Sequence, residues 1–375
     1  VRQTRGQQPD VHTRSDFEDR IRSGARSLAG WRVLGADLTR CDAQFDAVDP
    51  SGALFVGCVL TPEQVRRVRS RGAIVFPTVP GVPVRLDRDS LYSVDELYDT
   101  ERYRDSLDAR AYAWSHAAAV ATAGGLTGLD GEGDGELPRN LHDHAVDAAL
   151  ERWRSNHSLV GVMGGHAAGR GTKAYAGGAR LGHALGQEHT VATGGGPGAM
   201  EAANVGGRMA DHSLDDLDEA LTMLAAAPSF TPDVDGWVGA ARDVLTRFSP
   251  TRETLGVPTW HYGHEPPNAF ATAIAKYFRN ATREAILLEI CDAGIVFLPG
   301  AGGTVQEIFQ DACENYYADE SSVAPMVLLG KKYWTETLPA WPLLKALARG
   351  RVMEKHVHLV DSVEEAAEIV GRPRT

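Results

Sequence analysis

Three apolar runs in the later part of the chain each end in a glycine-rich turn and lead into a helical pattern. The first turn reads Val162-Met-Gly-Gly-His-Ala-Ala-Gly-Arg-Gly171. The second reads Thr193-Gly-Gly-Gly-Pro-Gly-Ala-Met-Glu-Ala-Ala-Asn204, and the third Phe297-Leu-Pro-Gly-Ala-Gly-Gly-Thr-Val-Gln-Glu307. Strand, glycine turn and helix, repeated in this way, leave few folds open. Strands are expected at Leu159–Met163, Thr190–Thr193, 254–260, 294–298, Met326–Leu329 and Val357–Val360. Helical patterns at Lys173–Leu185, 235–248, 281–290, 303–317 and Val363–Val370 lie between them. Short apolar runs alternating with helices of this length mark a doubly wound, mainly parallel α/β sheet of Rossmann-like type. In such a sheet the ligand lies beyond the carboxyl ends of the strands, at the topological switch point.

Glycine at these turns lets the backbone approach a ligand and aims free N–H groups at it, while the following helix adds its positive end. Any one of these turns could serve only to make a tight corner. Three on one sheet point to a shared anion site. Two other nucleotide signatures fail. Gly164-x4-Gly169-Arg170-Gly171 lacks the lysine and the Ser/Thr of a Walker A loop. The first turn has no GxGxxG, and Thr193 and Gly194 end the second strand where a dinucleotide site needs an acid.

The formal charge of −12 argues against a broad basic surface, so neither nucleic acid nor an anionic membrane is an expected partner. A small phosphorylated ligand remains compatible with it. Cys41, Cys58, Cys291 and Cys313 form no CxxC pair, which suits reduced thiols, a cytoplasmic location and no zinc site. No run is long enough to span a membrane, and the first residues lack a signal peptide's apolar region. The close pairs His142/His144, His261/His264 and His356/His358 lack a third ligand at a metal-site spacing, so no metal is expected.

Residues 1–139 read as an N-terminal accessory α+β region and 140–375 as the Rossmann-like domain. The polar start, to about Ser15, is expected to fray. A faint five-residue period between Ala36 and Cys58 offers too few repeats to stack as a solenoid. A proline-rich turn follows at Pro77–Pro83, a helix from Asp108 to about Ala123, and an exposed acidic connection at Gly124–Pro138.

The second turn resembles the GGGxxGxM segment of the Lonely Guy family. The third resembles that family's PGGxGTxxE motif, matched at Pro299, Gly300, Gly303, Thr304 and Glu307. The likeness runs over about 158–370 and is greatest to the long bacterial nucleotide 5′-monophosphate nucleosidases, through Gly164-Gly165-His166, Gly196 to Ala202 and Glu265-Pro-Pro-Asn268. It implies hydrolysis of nucleoside 5′-monophosphates to free base and ribose 5-phosphate, without a cofactor, by a homo-oligomer. Family members have been labelled lysine decarboxylases, but nothing in the sequence marks a pyridoxal-phosphate lysine. Two positions depart from the pattern. Ala301 replaces a motif glycine, and the family's arginine, usually followed by lysine, falls at Arg283-Glu284, one residue further from the motif than expected; Arg279 is the other choice.

On this resemblance Glu307 is the catalytic carboxylate beside an oxocarbenium-like sugar. The alternative is a Thr304-x-x-Glu307 capping box at the start of the helix. Arg283 would orient phosphate or ribose, or else be an exposed helix charge. Gly300, Gly302, Gly303 and Thr304 would hold the phosphate. Gly164, Gly165, His166, Gly194, Gly195, Gly196 and Gly198 would line ribose and base, with Glu201 and Asn268 as polar contacts. Asn268 could equally cap a helix beginning after Pro267. Two other functions stay open: a cytokinin-type phosphoribohydrolase, and a non-enzymatic nucleotide or cofactor carrier on the same fold.

Overall fold

The computed structural model describes residues 10–76, 81–123, 136–262 and 265–371, with backbone alone at 118–123. By packing the chain forms two compact units, residues 1–89 with 116–149, and residues 90–115 with 150–375. This division differs from a break at 139/140, because 90–115 is tied into the larger unit by buried polar groups. Tyr92 exchanges backbone hydrogen bonds with Ile274, and the Tyr98 hydroxyl donates to the Pro267 carbonyl at 2.6 Å. Asp108, 1% exposed, accepts from Tyr103 and Trp260 and pairs with Lys276 at 2.6 Å.

In the smaller unit β1 (Asp10–Val11), α1 (Arg14–Arg22), β2 (Arg32–Leu34), α2 (Asp42–Ala47), β3 (Leu54–Val56), α3 (Pro62–Ser70) and β4 (Ile74–Phe76) follow one another. Their strands make a parallel sheet in the order β1-β2-β3-β4, with Val33, Phe55 and Val75 in register. The repeat is thus one strand and one helix rather than five residues. Phe17, Phe45 and Phe55 pack their rings at 5.5 and 5.9 Å to fill the interior. Thr61 starts α3 through a capping box with Gln64 and Pro62 at the first turn. The expectation of fraying to about Ser15 does not hold for the described residues, since Asp10 takes a two-point ion pair from Arg32 and Val11 is fully buried; residues 1–9 lie outside them. Residues 77–80 of the proline-rich turn and 124–135 of the acidic connection lie outside the described residues. From Glu136 that connection is already helical.

Helices α4 (Val94–Leu97), α5 (Leu107–Ala123) and α6 (Glu136–Arg154) precede the main sheet. Then come β5 (Leu159–Met163), α7 (Lys173–Leu185), β6 (Thr190–Thr193), α8 (Ala199–Arg208), α9 (Leu214–Leu224), α10 (Val234–Phe248), β7 (Thr254–Gly256) and β8 (Ala273–Ile274). The chain continues through α11 (Asn280–Ile290), β9 (Gly294–Phe297), α12 (Gly302–Tyr317), β10 (Met326–Leu329), α13 (Ala340–Ala348), β11 (Val357–Val360) and α14 (Val363–Val370). The seven strands are all parallel, ordered β11-β10-β9-β5-β6-β7-β8. The doubly wound fold expected from the alternation is therefore borne out.

Every residue of β5 is buried, as a strand covered on both faces requires. Val160 and Val162 pack with Leu181 and Leu185 of α7, Ala203 of α8, Val296 of β9 and Val327 of β10. Each fully buried Leu or Val there contributes about 2 kcal/mol relative to exposure. Going outward from β5, the chain runs one way through β6, β7 and β8 and the other through β9, β10 and β11. The switch point is thus between β5 and β9, and their turns are the first and third glycine segments.

Candidate active site

The turns after β5, β6 and β9 are packed backbone against backbone. Ala199 N–H donates to the Gly165 carbonyl at 3.1 Å. A Cβ on Gly165 would stand 3.5 Å from the Gly300 Cα, and one on Gly198 would meet the His166 backbone. Gly198 also has φ +76°, so only glycine sits there without strain.

After β9 the chain turns at Pro299 and Gly300 into α12. The Tyr333 hydroxyl donates to the Gly300 carbonyl at 2.6 Å and fixes the turn. Ala301 is the N-cap and has no side-chain hydrogen bond to offer. Gly302 and Gly303 are exposed with open space where a Cβ would be. The first N–H groups of a sixteen-residue helix thus face outward without a capping side chain, the arrangement that suits an anion. Thr304 is buried, its side chain packed against Gly300, so the donors at the surface are backbone ones.

The helix start also decides the role of Glu307. With Ala301 as N-cap, Thr304 already lies inside the helix and Glu307 falls on its second turn. No capping box exists. The Glu307 side chain is 13% exposed, and its carboxylate faces Arg283 Nη1 at 3.8 Å. Burial pushes its carboxyl up, Arg283 pulls it down and Glu284 raises it again, leaving it at about 7.

Arg283 is held from below. Its Nε donates to the Val257 carbonyl at 2.6 Å and Nη2 reaches the Gly194 carbonyl at 3.4 Å. It is buried, not an exposed helix charge. Arg279 is the exposed N-cap of the same helix. Of the two arginines, Arg283 is the one brought to Glu307.

Glu201 and Asn268 lie elsewhere than expected. Both Glu201 oxygens are taken by Arg170, at 2.5 and 3.0 Å, and the side chains of both residues are 1% exposed. Arg170 also lies over the Trp237 ring and donates to the Trp237 carbonyl. Glu201 therefore anchors α8 to the turn after β5, with its side chain 1% exposed. Asn268 is fully buried beneath the second turn. Its amide donates to the Gly196 carbonyl and to Asn204, its oxygen accepts from Phe270 and Ala271, and its N–H donates to Gly195. No helix begins there; Asn268 shapes the turn from inside. Gly194, Gly195 and Gly196 follow that turn, with the Gly195 N–H bound to the Thr193 hydroxyl.

His166 is exposed and pairs with Glu265 at 3.5 Å, across Gly196. Glu265 stood in the matched Glu265-Pro-Pro-Asn268 segment but was given no role there. Its carboxylate, 38% exposed, is a second acid at the strand ends. Among the described residues no three His, Cys, Asp or Glu side chains converge as a metal site, and His264 lies outside those residues. No described helix is long and apolar enough to cross a membrane.

A doubly wound α/β domain with paired glycine turns at its switch point and a carboxylate–arginine pair between them is what this site defines. Residues 240–372 match the family model described as possible lysine decarboxylase. No curated protein matches the chain. Among solved structures the chain is similar to the molybdenum cofactor binding protein of the phototrophic bacterium Rippkaea orientalis, at 16% identity and a TM-score of 0.34, covering 57% of this chain and 96% of that one. It is similar also to the molybdenum cofactor carrier protein of Chlamydomonas reinhardtii, at 17% identity and a TM-score of 0.35, with the same coverage. The decarboxylase description implies pyridoxal phosphate, which needs an available lysine amine. The three glycine turns carry no lysine, and the amine of Lys276, the one buried lysine, is committed to Asp108 beneath Trp260; the residues of this site do not fit that cofactor.

Proposed function

We propose that the chain hydrolyses the N-glycosidic bond of nucleoside 5′-monophosphates, releasing the free base and ribose 5-phosphate. The observation that carries this reading is the nearly buried pair, 3.8 Å apart, between Arg283 of α11 and Glu307 of α12, the helix whose N-terminus no side chain caps. In this reading the N–H groups of Gly302 and Gly303 hold the 5′-phosphate against the positive end of α12. The sugar then lies near Glu307. As the C1′–N bond breaks, its electron pair goes to the departing base and positive charge spreads over C1′ and the ring oxygen. The Glu307 carboxylate stabilises that charge. Water adds its oxygen to C1′ and gives a proton to Glu307, whose carboxyl at about 7 is matched to accepting one near neutrality, while the departing base takes a proton from solvent to leave as the neutral free base. Arg283, fixed by two carbonyls, keeps Glu307 in place and faces the anionic end of the substrate.

The test is a panel of purine, pyrimidine and N6-substituted nucleoside monophosphates with detection of released base. AMP should be cleaved far better than adenosine, because the phosphate contributes binding energy that the nucleoside lacks. Comparable kcat/KM for the two removes the role of the α12 N-terminus. Tight nucleotide binding with no base released by any member overturns the hydrolase reading in favour of a carrier.

A further inference from the structure

Glu284 follows Arg283 on α11 and is buried, at 6% exposure. Both its oxygens act as acceptors. Asn280 Nδ2 donates to Oε1 at 2.7 Å, and Gln306 Nε2 donates to Oε2 at 2.6 Å. Two acceptor oxygens are what a carboxylate anion offers. Asn280 Nδ2 also reaches the Tyr262 hydroxyl at 3.0 Å. A hydrogen-bonded strap, Tyr262–Asn280–Glu284–Gln306, therefore runs from the segment after β7 across α11 and ends on α12 at the residue before Glu307.

We propose that Glu284 is a positioning residue for the reaction at Glu307: clamped by Asn280 and Gln306, its fixed negative charge offsets Arg283 and keeps Glu307 basic enough to take a proton from water. This rests on Glu307 being the reacting carboxylate. Burial is the main influence raising Glu307, and Arg283 pulls against it. Glu284 comes from the same helix with the opposite sign, and its effect on Glu307 opposes that of Arg283. Besides these, α12 carries Asp311 and Glu314, α11 carries Glu289, which repels Glu314, and Arg351 meets Tyr316 near the end of α12. Asp311 lies one turn further along the same helix, and burial holds its carboxyl well above the ordinary range. His166 and Glu265, at the strand ends, pair with each other. The packed helix α13 carries Lys345 alone, and the turn at Val352–Lys355 carries Glu354 and Lys355. None of these enters the balance at Glu307, which burial, Arg283 and Glu284 set.

Glu284→Gln removes the charge and keeps the shape. The readout that a merely structural role would not move is the protonation midpoint of Glu307, followed as its carboxylic-acid infrared band and assigned by loss of that band in Glu307→Gln. In Glu284→Gln the midpoint should fall by about one pH unit. The acid limb of kcat/KM for AMP should move down with it, with folding checked by circular dichroism. Should Glu284→Gln fail to fold, Gln306→Leu at an exposed position strips one donor from Glu284 and should move the midpoint the same way, by less. A midpoint unchanged in a folded Glu284→Gln protein, or in Gln306→Leu where only that variant folds, overturns the proposal. The infrared titration reads Glu307 whether or not base is released. A moved midpoint without catalysis would sink the hydrolase reading alone, and catalysis with an unmoved midpoint would sink only the role of Glu284.

Discussion

In the turn after β6 nearly every polar group faces protein: Thr193 and Asn268 bind the Gly195 backbone, Asn268 and Arg283 take the Gly196 and Gly194 carbonyls, and Asn204 joins the two side chains. In the turn after β9 the opposite holds. Ala301, Gly302 and Gly303 are exposed, and no side chain caps the helix behind them. The two segments are almost equally rich in glycine, but the glycines have different reasons. Those after β6 let protein backbone and side chains close in. After β9, Gly300 is packed in the same way, but Gly302 and Gly303 face open space. Glycine density marks close approach; it does not say what approaches.

The comparison is most severely tested at Glu307, the one acid at the open turn. Glu307→Gln should lower kcat by about 100-fold to 1000-fold, the range seen when one transition-state electrostatic contact is removed. Nucleotide binding should persist, and normal turnover would leave Glu307 without a role. The same variant should be more stable than the parent in alkaline solution. A carboxyl raised from 4.5 to about 7 on folding adds stability that is complete below about 4.5 and is lost as pH rises through 7. Glutamine does not titrate, so denaturant unfolding should show no gain from pH change in its favour at acid pH and up to about 3 kcal/mol above pH 8.

The next effect separates the two turns directly. Gly195 has φ +71°, and an added Cβ would stand 2.7 Å from Pro258 and 3.1 Å from the Gly256 Cα. Gly195→Ala should cost about 2 kcal/mol or more of stability, from backbone strain and overpacking together. Gly303→Ala adds its methyl to open space and should leave stability within about 0.5 kcal/mol while raising KM for the nucleotide. Equal stability losses in calorimetry would mean the turns are not different in kind.

The smallest effect concerns the residue that touches both regions. Arg283 reaches Val257 and Gly194 on one side and Glu307 on the other, and lysine cannot make all three contacts. Arg283→Lys should lower kcat/KM by about tenfold, a loss of one charge-assisted hydrogen bond. Arg279→Lys should change it little. Sensitivity at Arg279 alone would move the role one turn back along α11.

Much of the fold was legible because its elements are long and periodic. Leu159–Met163, Lys173–Leu185 and Val363–Val370 appear with the bounds read from their patterns. The two-residue strand Ala273–Ile274 carries no alternation to read and exists because β7 offers it an edge. At the site, the pairing of Glu307 with Arg283 could be anticipated from the motifs. The fate of Glu201 could not, since Arg170, the partner that occupies it, reaches it from the turn after β5. Asn268 and Glu265 stand in one short segment with opposite outcomes, Asn268 fully buried and Glu265 partly exposed beside His166.

By itself the sequence determined the parallel α/β architecture, the three glycine turns at the strand ends and the acidic residue following the third. Those follow from local chemistry: apolar periodicity, the freedom of glycine, and helix patterns that begin directly after each turn. Only the tertiary structure decided which turn is open, which arginine faces the acid, and whether Thr304 and Glu307 cap a helix or lie within it. Those are questions of which groups from distant segments bury one another's charges and hydrogen bonds, and burial is set by the packing of the whole unit rather than by any stretch of chain.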